Sequence, residues 1–144
     1  MNPIPENLES DPRFPSGRWI GFFTDKRRHG RHEMEQLLTF SQGRLSGTGR
    51  DRVGEFQLTG EYNIQDGLCL FAKQYLGQHT VSYRGYNEGK GIWGTWELSE
   101  PGIRCTGGFH IWPENFGMTD PSTLKEALAV PQEELSPVLA SSNA

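Results

Sequence analysis

Residues able to bind or transfer charge are gathered in three stretches of this chain. The first reads Asp25-Lys26-Arg27-Arg28-His29-Gly30-Arg31-His32, the second reads Arg50-Asp51-Arg52, and the third runs from Lys73 to Tyr83. The first two stretches hold six of the 14 lysines and arginines of a chain whose net charge is −4. A local basic excess on an acidic protein attracts anions, so these stretches predict an anion-binding region.

The third stretch supplies the wall of a candidate pocket. His79 alternates with Val81 and Tyr83, which puts the three side chains on one face of a strand. A histidine and a tyrosine on an inward face can orient a polar ligand or exchange a proton. The alternative is a solvated basic loop beside a histidine and a tyrosine that are hydrogen-bonded at the rim of a packed core. The predicted ligand-binding residues are His79, Tyr83, Lys73, Tyr75, Arg28, Arg31 and Arg52.

Several classes of chemistry leave no signature in the sequence. It contains no paired carboxylates, nucleophile elbow, P-loop or dinucleotide fingerprint. His29-x-x-His32 lies among arginines without a third ligand in sequence, which disfavours a metal. His110 alternates with Phe109 and Ile111 and is expected to face outward. The sequence therefore predicts no catalytic set, no metal and no cofactor.

Length and composition restrict the class of protein. A chain of 144 residues fits one domain, and its acidic balance argues against a nucleic-acid partner. No stretch is long enough to span a membrane, and the N-terminus lacks the basic and apolar regions of a signal peptide. We therefore expect a cytoplasmic protein without a membrane partner, in which Cys69 and Cys105 are free core thiols. The sequence leaves homo-oligomerisation open.

A period-two pattern interrupted by glycine recurs along the middle of the chain. Examples are Trp19-x-Gly21-x-Phe23, Phe56-x-Leu58-x-Gly60-x-Tyr62, Ile92-x-Gly94-x-Trp96-x-Leu98 and Cys105-x-Gly107-x-Phe109-x-Ile111. Period two predicts half-buried strands, and glycines on the inward face predict the bending that a small closed barrel needs. The predicted strands lie near 18–24, 33–41, 44–50, 53–62, 67–75, 78–86, 91–99 and 103–112.

Short connections between these segments predict hairpin pairing of sequence neighbours. The predicted fold is all-β, an eight-stranded antiparallel up-and-down meander barrel. The fifth strand remains open between two registers. A two-residue turn at 77–78 points Leu68, Leu70, Ala72 and Gln74 inward, whereas a three-residue turn at 76–78 points Cys69, Phe71, Lys73 and Tyr75 inward.

Both ends of the chain lack the strand pattern. Residues 1–16 contain four prolines and are predicted to form a flexible N-terminal arm, while the barrel domain spans residues 17–113. Residues 114–144 form a C-terminal tail that is also expected to be mobile. Within it, Thr123 and Glu126 make a capping box that predicts a short helix over 123–130, which Pro131 would end.

Gly17-Arg18-Trp19, on the first strand of such a meander, resembles the calycin group of lipocalins, fatty-acid-binding proteins and avidins. Gly60-x-Tyr62, His79-Thr80-Val81-Ser82-Tyr83 and Trp96-Glu97-Leu98 are most similar to avidin strands. The resemblance covers roughly residues 17–113 and implies that Trp19 plugs the closed end of the barrel. Gly21, Phe22 and Phe23 stand where avidins carry biotin-binding polar residues, so the resemblance implies the fold and not biotin, lipid or retinoid binding.

Three functions are compatible with these features. The first, which we favour, is a binding protein for a small anionic or polar molecule at the barrel mouth bounded by residues 25–32, 51–52 and 76–77. The second is a filled barrel acting as a structural or protein-interaction module, with contacts made by the tail and by Tyr86, Trp93 and Trp112. The third is an enzyme that uses His79 and Tyr83 as acid and base. Interior volume separates these functions, because an eight-stranded barrel is either filled by side chains or holds one small ligand.

Overall fold

A closed antiparallel barrel of eight strands is the whole architecture of residues 7–115, the part of the chain that the computed structural model describes. The strands are β1 (Gly17–Asp25), β2 (Arg28–Ser41), β3 (Arg44–Asp51), β4 (Glu55–Tyr62), β5 (Leu68–Tyr75), β6 (Thr80–Asn87), β7 (Ile92–Glu100) and β8 (Ile103–Pro113). Each strand pairs with the next, and β8 pairs with β1 to close the sheet. The predicted up-and-down barrel is confirmed. The helix predicted over 123–130 lies outside the described residues, as does the rest of the chain beyond residue 115.

The barrel core consists of the inward residues of every strand, as the period-two pattern predicts. Trp19, Val81, Trp96, Phe109 and Ile111 are all buried. Inward glycines make room for these large side chains. A Cβ atom on Gly107 would lie 2.6 Å from Nε1 of Trp96 and 2.0 Å from the carbonyl oxygen of Thr24. Glycine is therefore required at this position for the strands and the indole to approach so closely.

The register of β5 is the one given by a three-residue turn. Lys73 pairs with Val81, and the backbone N–H of Tyr75 donates to the carbonyl oxygen of His79 at 3.2 Å. Cys69, Phe71, Lys73 and Tyr75 consequently face inward and are buried. Both cysteines are free thiols, and Cys105 is only partly buried.

The closed end of the barrel is plugged by Trp19 together with a segment that precedes β1. Residues 7–16, which the sequence assigns to the flexible arm, pack across this end. Phe14 is fully buried and contacts Phe40 and Tyr62, with ring centroids 5.5 and 4.8 Å away. The indole N–H of Trp19 donates to the carbonyl oxygen of Pro15 at 2.9 Å. Phe14 is thus part of the core, whereas the other residues of this segment are exposed or only partly buried.

An outward-facing aromatic cluster on β1 and β8 contains Phe22, His110 and Trp112. His110 faces away from the barrel interior, as expected, but it is fully buried against the other two rings. Its Nε2 lies 2.6 Å from the carbonyl oxygen of Lys90, so Nε2 carries the proton. Burial disfavours the charged ring and lowers the pKa of His110 to about 4, although the hydrogen bond to Lys90 acts in the opposite direction.

The lowered pKa of His110 makes stability depend on pH between about 4 and 6.5. In that window the unfolded chain binds a proton that the folded chain does not, so stability falls as pH decreases. We expect a loss of about 3 kcal/mol by pH 4 from this group. Urea unfolding of the native protein and of His110→Gln, which does not titrate, should give curves whose difference shrinks toward pH 4. A constant difference would contradict the prediction.

Candidate functional site

The barrel mouth, defined as the end opposite Trp19, contains an ion pair inside the barrel. The Lys73 ammonium lies 2.8 Å from Oδ2 of Asp51, and the two side chains are 1% and 0% exposed. Four aromatic rings surround the ammonium, with centroids 4.7 to 5.2 Å from Nζ; they belong to Phe23, Phe56, Tyr75 and Tyr83. We call these six residues the mouth cluster. The faces of aromatic rings carry partial negative charge, so these four side chains stabilise the Lys73 ammonium.

Asp51 reaches the mouth cluster because it ends β3 and begins the turn to β4. Its Oδ1 accepts hydrogen bonds from the backbone N–H groups of Val53 at 2.8 Å and Gly54 at 3.4 Å. Its Oδ2 accepts from Lys73 and from the Tyr75 hydroxyl, the latter at 2.6 Å. The carboxylate is therefore held on one oxygen by its own turn and on the other by β5.

The mouth cluster brings together three of the predicted ligand-binding residues, Lys73, Tyr75 and Tyr83. The Tyr83 ring stacks on Phe71 at 5.1 Å with an interplanar angle of 10°. His79, the fourth predicted wall residue, is only partly buried and contacts the Tyr75 ring at 5.1 Å. His79 therefore lies beside the cluster rather than within it, and its described ring contact is to Tyr75, not to Tyr83.

The burial of the mouth cluster changes the acidity of its members. Desolvation lowers the pKa of Lys73 to about 8, against the opposing effect of Asp51, which favours the ammonium. Desolvation, followed by the hydrogen bond to Asp51, raises the pKa of Tyr75, and desolvation also raises the pKa of Tyr83 well above its usual range. Both tyrosines are neutral hydrogen-bond donors at physiological pH. Lys73 has a substantial free-amine fraction at a slightly higher pH.

A second polar group at the mouth was missed by the sequence analysis. The strand β2 begins at Arg28 rather than near residue 33, because the β1–β2 turn contains only Lys26 and Arg27. His32 therefore lies on β2 and faces inward, 5.1 Å from the Phe23 ring. Its Nε2 is buried and has no hydrogen-bond partner among residues 7–115. The mouth thus contains unused hydrogen-bonding capacity next to a ring that also contacts Lys73.

Asp25 lies near this histidine and has its own cationic partner. Its carboxylate accepts from the Arg27 guanidinium at 2.7 Å on the exposed rim. Burial alone would raise the pKa of Asp25, but the hydrogen bonds from Arg27 outweigh it and lower that pKa. Asp25 is therefore ionised because of Arg27 and does not need Lys73 as its counter-ion.

The three predicted rim arginines are not gathered at one point. Arg28 begins β2 and Arg52 lies in the β3–β4 turn, and both are exposed at the mouth. Arg31 lies on the outer wall, where its guanidinium covers the Phe22 ring at 4.4 Å. Only the first two are placed to attract an anion toward the barrel mouth.

Residues 7–115 contain neither a metal-binding group of side chains nor a long apolar helix. No group of three or more histidine, cysteine, aspartate or glutamate side chains is positioned there to hold a metal ion. Within the same range no helix is long and apolar enough to cross a membrane.

The fold and the mouth define an eight-stranded closed barrel compatible with the calycin architecture, with a charged cluster inside one end. No protein-family model matches the chain, and comparisons with curated proteins and with solved structures find no match either. The function is therefore argued from the mouth itself.

Proposed function

We propose that this protein binds a small carboxylate-bearing molecule at the barrel mouth, with Lys73 and Tyr75 as the residues that hold the carboxylate. One observation carries the proposal: the mouth already binds a carboxylate, that of Asp51. The Lys73 ammonium and the Tyr75 hydroxyl donate to it, and aromatic side chains surround the ammonium. A ligand carboxylate has the same charge and the same acceptor geometry. It would take the place of the Asp51 side chain.

Exchange of one carboxylate for another keeps the electrostatic balance of the cluster. Lys73 stays paired, so no isolated charge is buried, which would cost several kcal/mol. Asp51 begins a turn whose next residues, Arg52 and Val53, are exposed, and its side chain regains hydration when it turns outward. Arg28 and Arg52 at the rim attract the incoming anion, although this attraction is screened over about 10 Å at ordinary salt.

The ligand needs contacts that Asp51 does not make. An intramolecular carboxylate competes with an effective concentration of about millimolar or more, so a bare carboxylate binds the native protein weakly. The free Nε2 of His32 is a hydrogen-bonding atom available to a further polar group of the ligand. Tyr83 then forms part of the wall, and His79 lies beside the cluster against the Tyr75 ring.

The test is chemical rescue of Asp51→Ala. Removal of this side chain leaves the ammonium of Lys73 unpaired and opens a space of carboxylate size. Acetate should fill it and raise the melting temperature. At five times its dissociation constant, acetate adds about 1 kcal/mol, or roughly 3–4 °C for a domain of this size. Calorimetry with acetate against chloride at equal ionic strength measures the shift.

Asp25→Ala is the matched control, because it removes a carboxylate of the same mouth whose partner is the exposed Arg27. Its melting temperature should respond equally to acetate and chloride. Asp51→Asn, which keeps the side-chain volume, is a second variant and should show little rescue. Equal acetate shifts in all three variants, or none in Asp51→Ala, would reject the proposed carboxylate site.

An interaction module is the second candidate function, and the outer surface gives it some support. Tyr86 is 40% exposed, and Leu37 and Leu76 border a groove of about 430 Å3 across β2, β3 and β4. Trp112, proposed from sequence as a contact residue, is instead buried against Phe22. An enzyme that uses His79 and Tyr83 as acid and base has less support, because the two residues contact different rings. His79 contacts the Tyr75 ring, whereas Tyr83 stacks on Phe71.

A further inference from the structure

The residue that binds the carboxylate as an ammonium, Lys73, is also a nucleophile when it is unprotonated. A lysine amine adds to carbonyl carbons when it is unprotonated, and burial among apolar groups is the usual means by which proteins achieve this near neutral pH. Lys73 is 1% exposed, and this desolvation favours its free amine, although the four rings and the Asp51 carboxylate favour the ammonium.

We propose that Lys73 condenses with small 2-oxo acids to form an imine, with the ligand carboxylate in the place of Asp51. This inference rests on the proposed carboxylate site. It adds a covalent step and a narrower ligand class, in which a carbonyl carbon is directly bonded to the carboxylate. The carboxylate held by Tyr75 would then place the carbonyl next to Nζ, since that nitrogen now lies 2.8 Å from the Asp51 oxygen.

The step balances in atoms and charge. The Lys73 ammonium first releases one proton to solvent. The free amine attacks the carbonyl carbon, giving a carbinolamine, and the carbonyl oxygen then leaves as water with both amine hydrogens. The imine nitrogen takes one proton from solvent, so an ammonium and a 2-oxo carboxylate become an iminium carboxylate plus water. No oxidant or reductant is needed. The cluster holds one positive and one negative charge before and after the step.

Three features of the mouth cluster favour the product. An iminium carries the same charge as the ammonium, so the rings of Phe23, Phe56 and Tyr83 stabilise it in the same way. Expulsion of water from a buried site opposes hydrolysis of the imine. With a pKa of about 8, Lys73 has a free-amine fraction at pH 8 on the order of a hundredfold above that of an ordinary lysine.

The experiment is reductive trapping with pyruvate. The full chain is incubated at pH 8 with pyruvate and sodium cyanoborohydride, and adducts are mapped by peptide mass spectrometry over time. Lys73 should be labelled at least about tenfold faster than the exposed Lys26, because its buried amine lies beside a group that holds the pyruvate carboxylate. The rate at Lys73 should increase as pH rises through about 8.

Two probes separate the imine from the carboxylate site. Acetone, which replaces the carboxylate of pyruvate by a methyl group, should label Lys73 several-fold more slowly, and acetate should compete with pyruvate. Lys73→Arg should abolish the fast labelling and leave Lys26 unchanged. Failure to label Lys73, or equal rates with acetone and pyruvate, would overturn this inference. If acetate rescues Asp51→Ala but Lys73 is not labelled, the imine is rejected and the proposed carboxylate site is retained.

Discussion

Replacing Phe14 with alanine should lower the free energy of unfolding by about 3–5 kcal/mol. The side chain is fully buried, and it packs between Phe40 and Tyr62 at the closed end of the barrel. Truncation removes the transfer free energy of the ring and leaves a cavity that the rigid strand ends cannot close. Urea denaturation followed by tryptophan fluorescence measures the change.

Leu8→Ala is the matched control from the same segment. Leu8 is 42% exposed and forms an isolated bridge to Ser41, so its truncation should cost less than about 1 kcal/mol. A midpoint for Phe14→Ala that equals that of the control would mean that Phe14 does not form part of the core in solution.

The packing of Phe14 illustrates a part of the fold that the sequence does not reveal. Residues 1–16 have four prolines and no periodic apolar positions, and both features are typical of a flexible arm. The Phe14 ring accounts for most of the burial of this segment. Hydrogen bonds hold the segment against the barrel, including one from Arg13 to the carbonyl oxygen of Asn87 at 3.1 Å. A single buried ring gives no period to detect. The Phe14 ring is buried by side chains from strands that are distant in sequence.

The barrel itself is predictable because its pattern is redundant. Eight segments alternate with period two, and the short turns leave hairpin pairing as the natural topology. The register of β5 is the exception, since its two faces have similar apolarity except at Lys73. Hydropathy places a lysine outside, yet here the turn geometry and the partner on β3 keep it inside. Tertiary context decides such a strand.

The site could be predicted only in part. Tyr83 follows from the alternation of β6, whereas Lys73 and Tyr75 face inward in only one of the two registers that the sequence allows for β5. The carboxylate partner does not appear among the predicted residues. The signal was present, because Leu45-x-Gly47-x-Gly49-x-Asp51 continues the inward face of β3 to its last residue. The same holds for His32, which continues the alternation of β2 toward its start. Basic residues between 25 and 32 are typical of a loop, and they obscured that continuation.

Replacing Lys73 with methionine should destabilise the protein by about 3–5 kcal/mol at neutral pH. Methionine has a similar volume, so the loss comes from the Asp51 carboxylate, which is 0% exposed in the native protein. In the variant it either lies there without its ammonium or turns outward and gives up its buried hydrogen bonds. In the first case the Tyr75 hydroxyl and the Val53 N–H still donate to it, but neither neutralises its charge. Thermal and urea unfolding at pH 7 measure this cost.

A double variant separates a carboxylate that lacks its counter-ion from a packing defect. Lys73→Met/Asp51→Asn, which buries no charge, should regain most of the lost stability at pH 7. A double variant as unstable as the single one would indicate that packing, and not the unpaired charge, determines the effect.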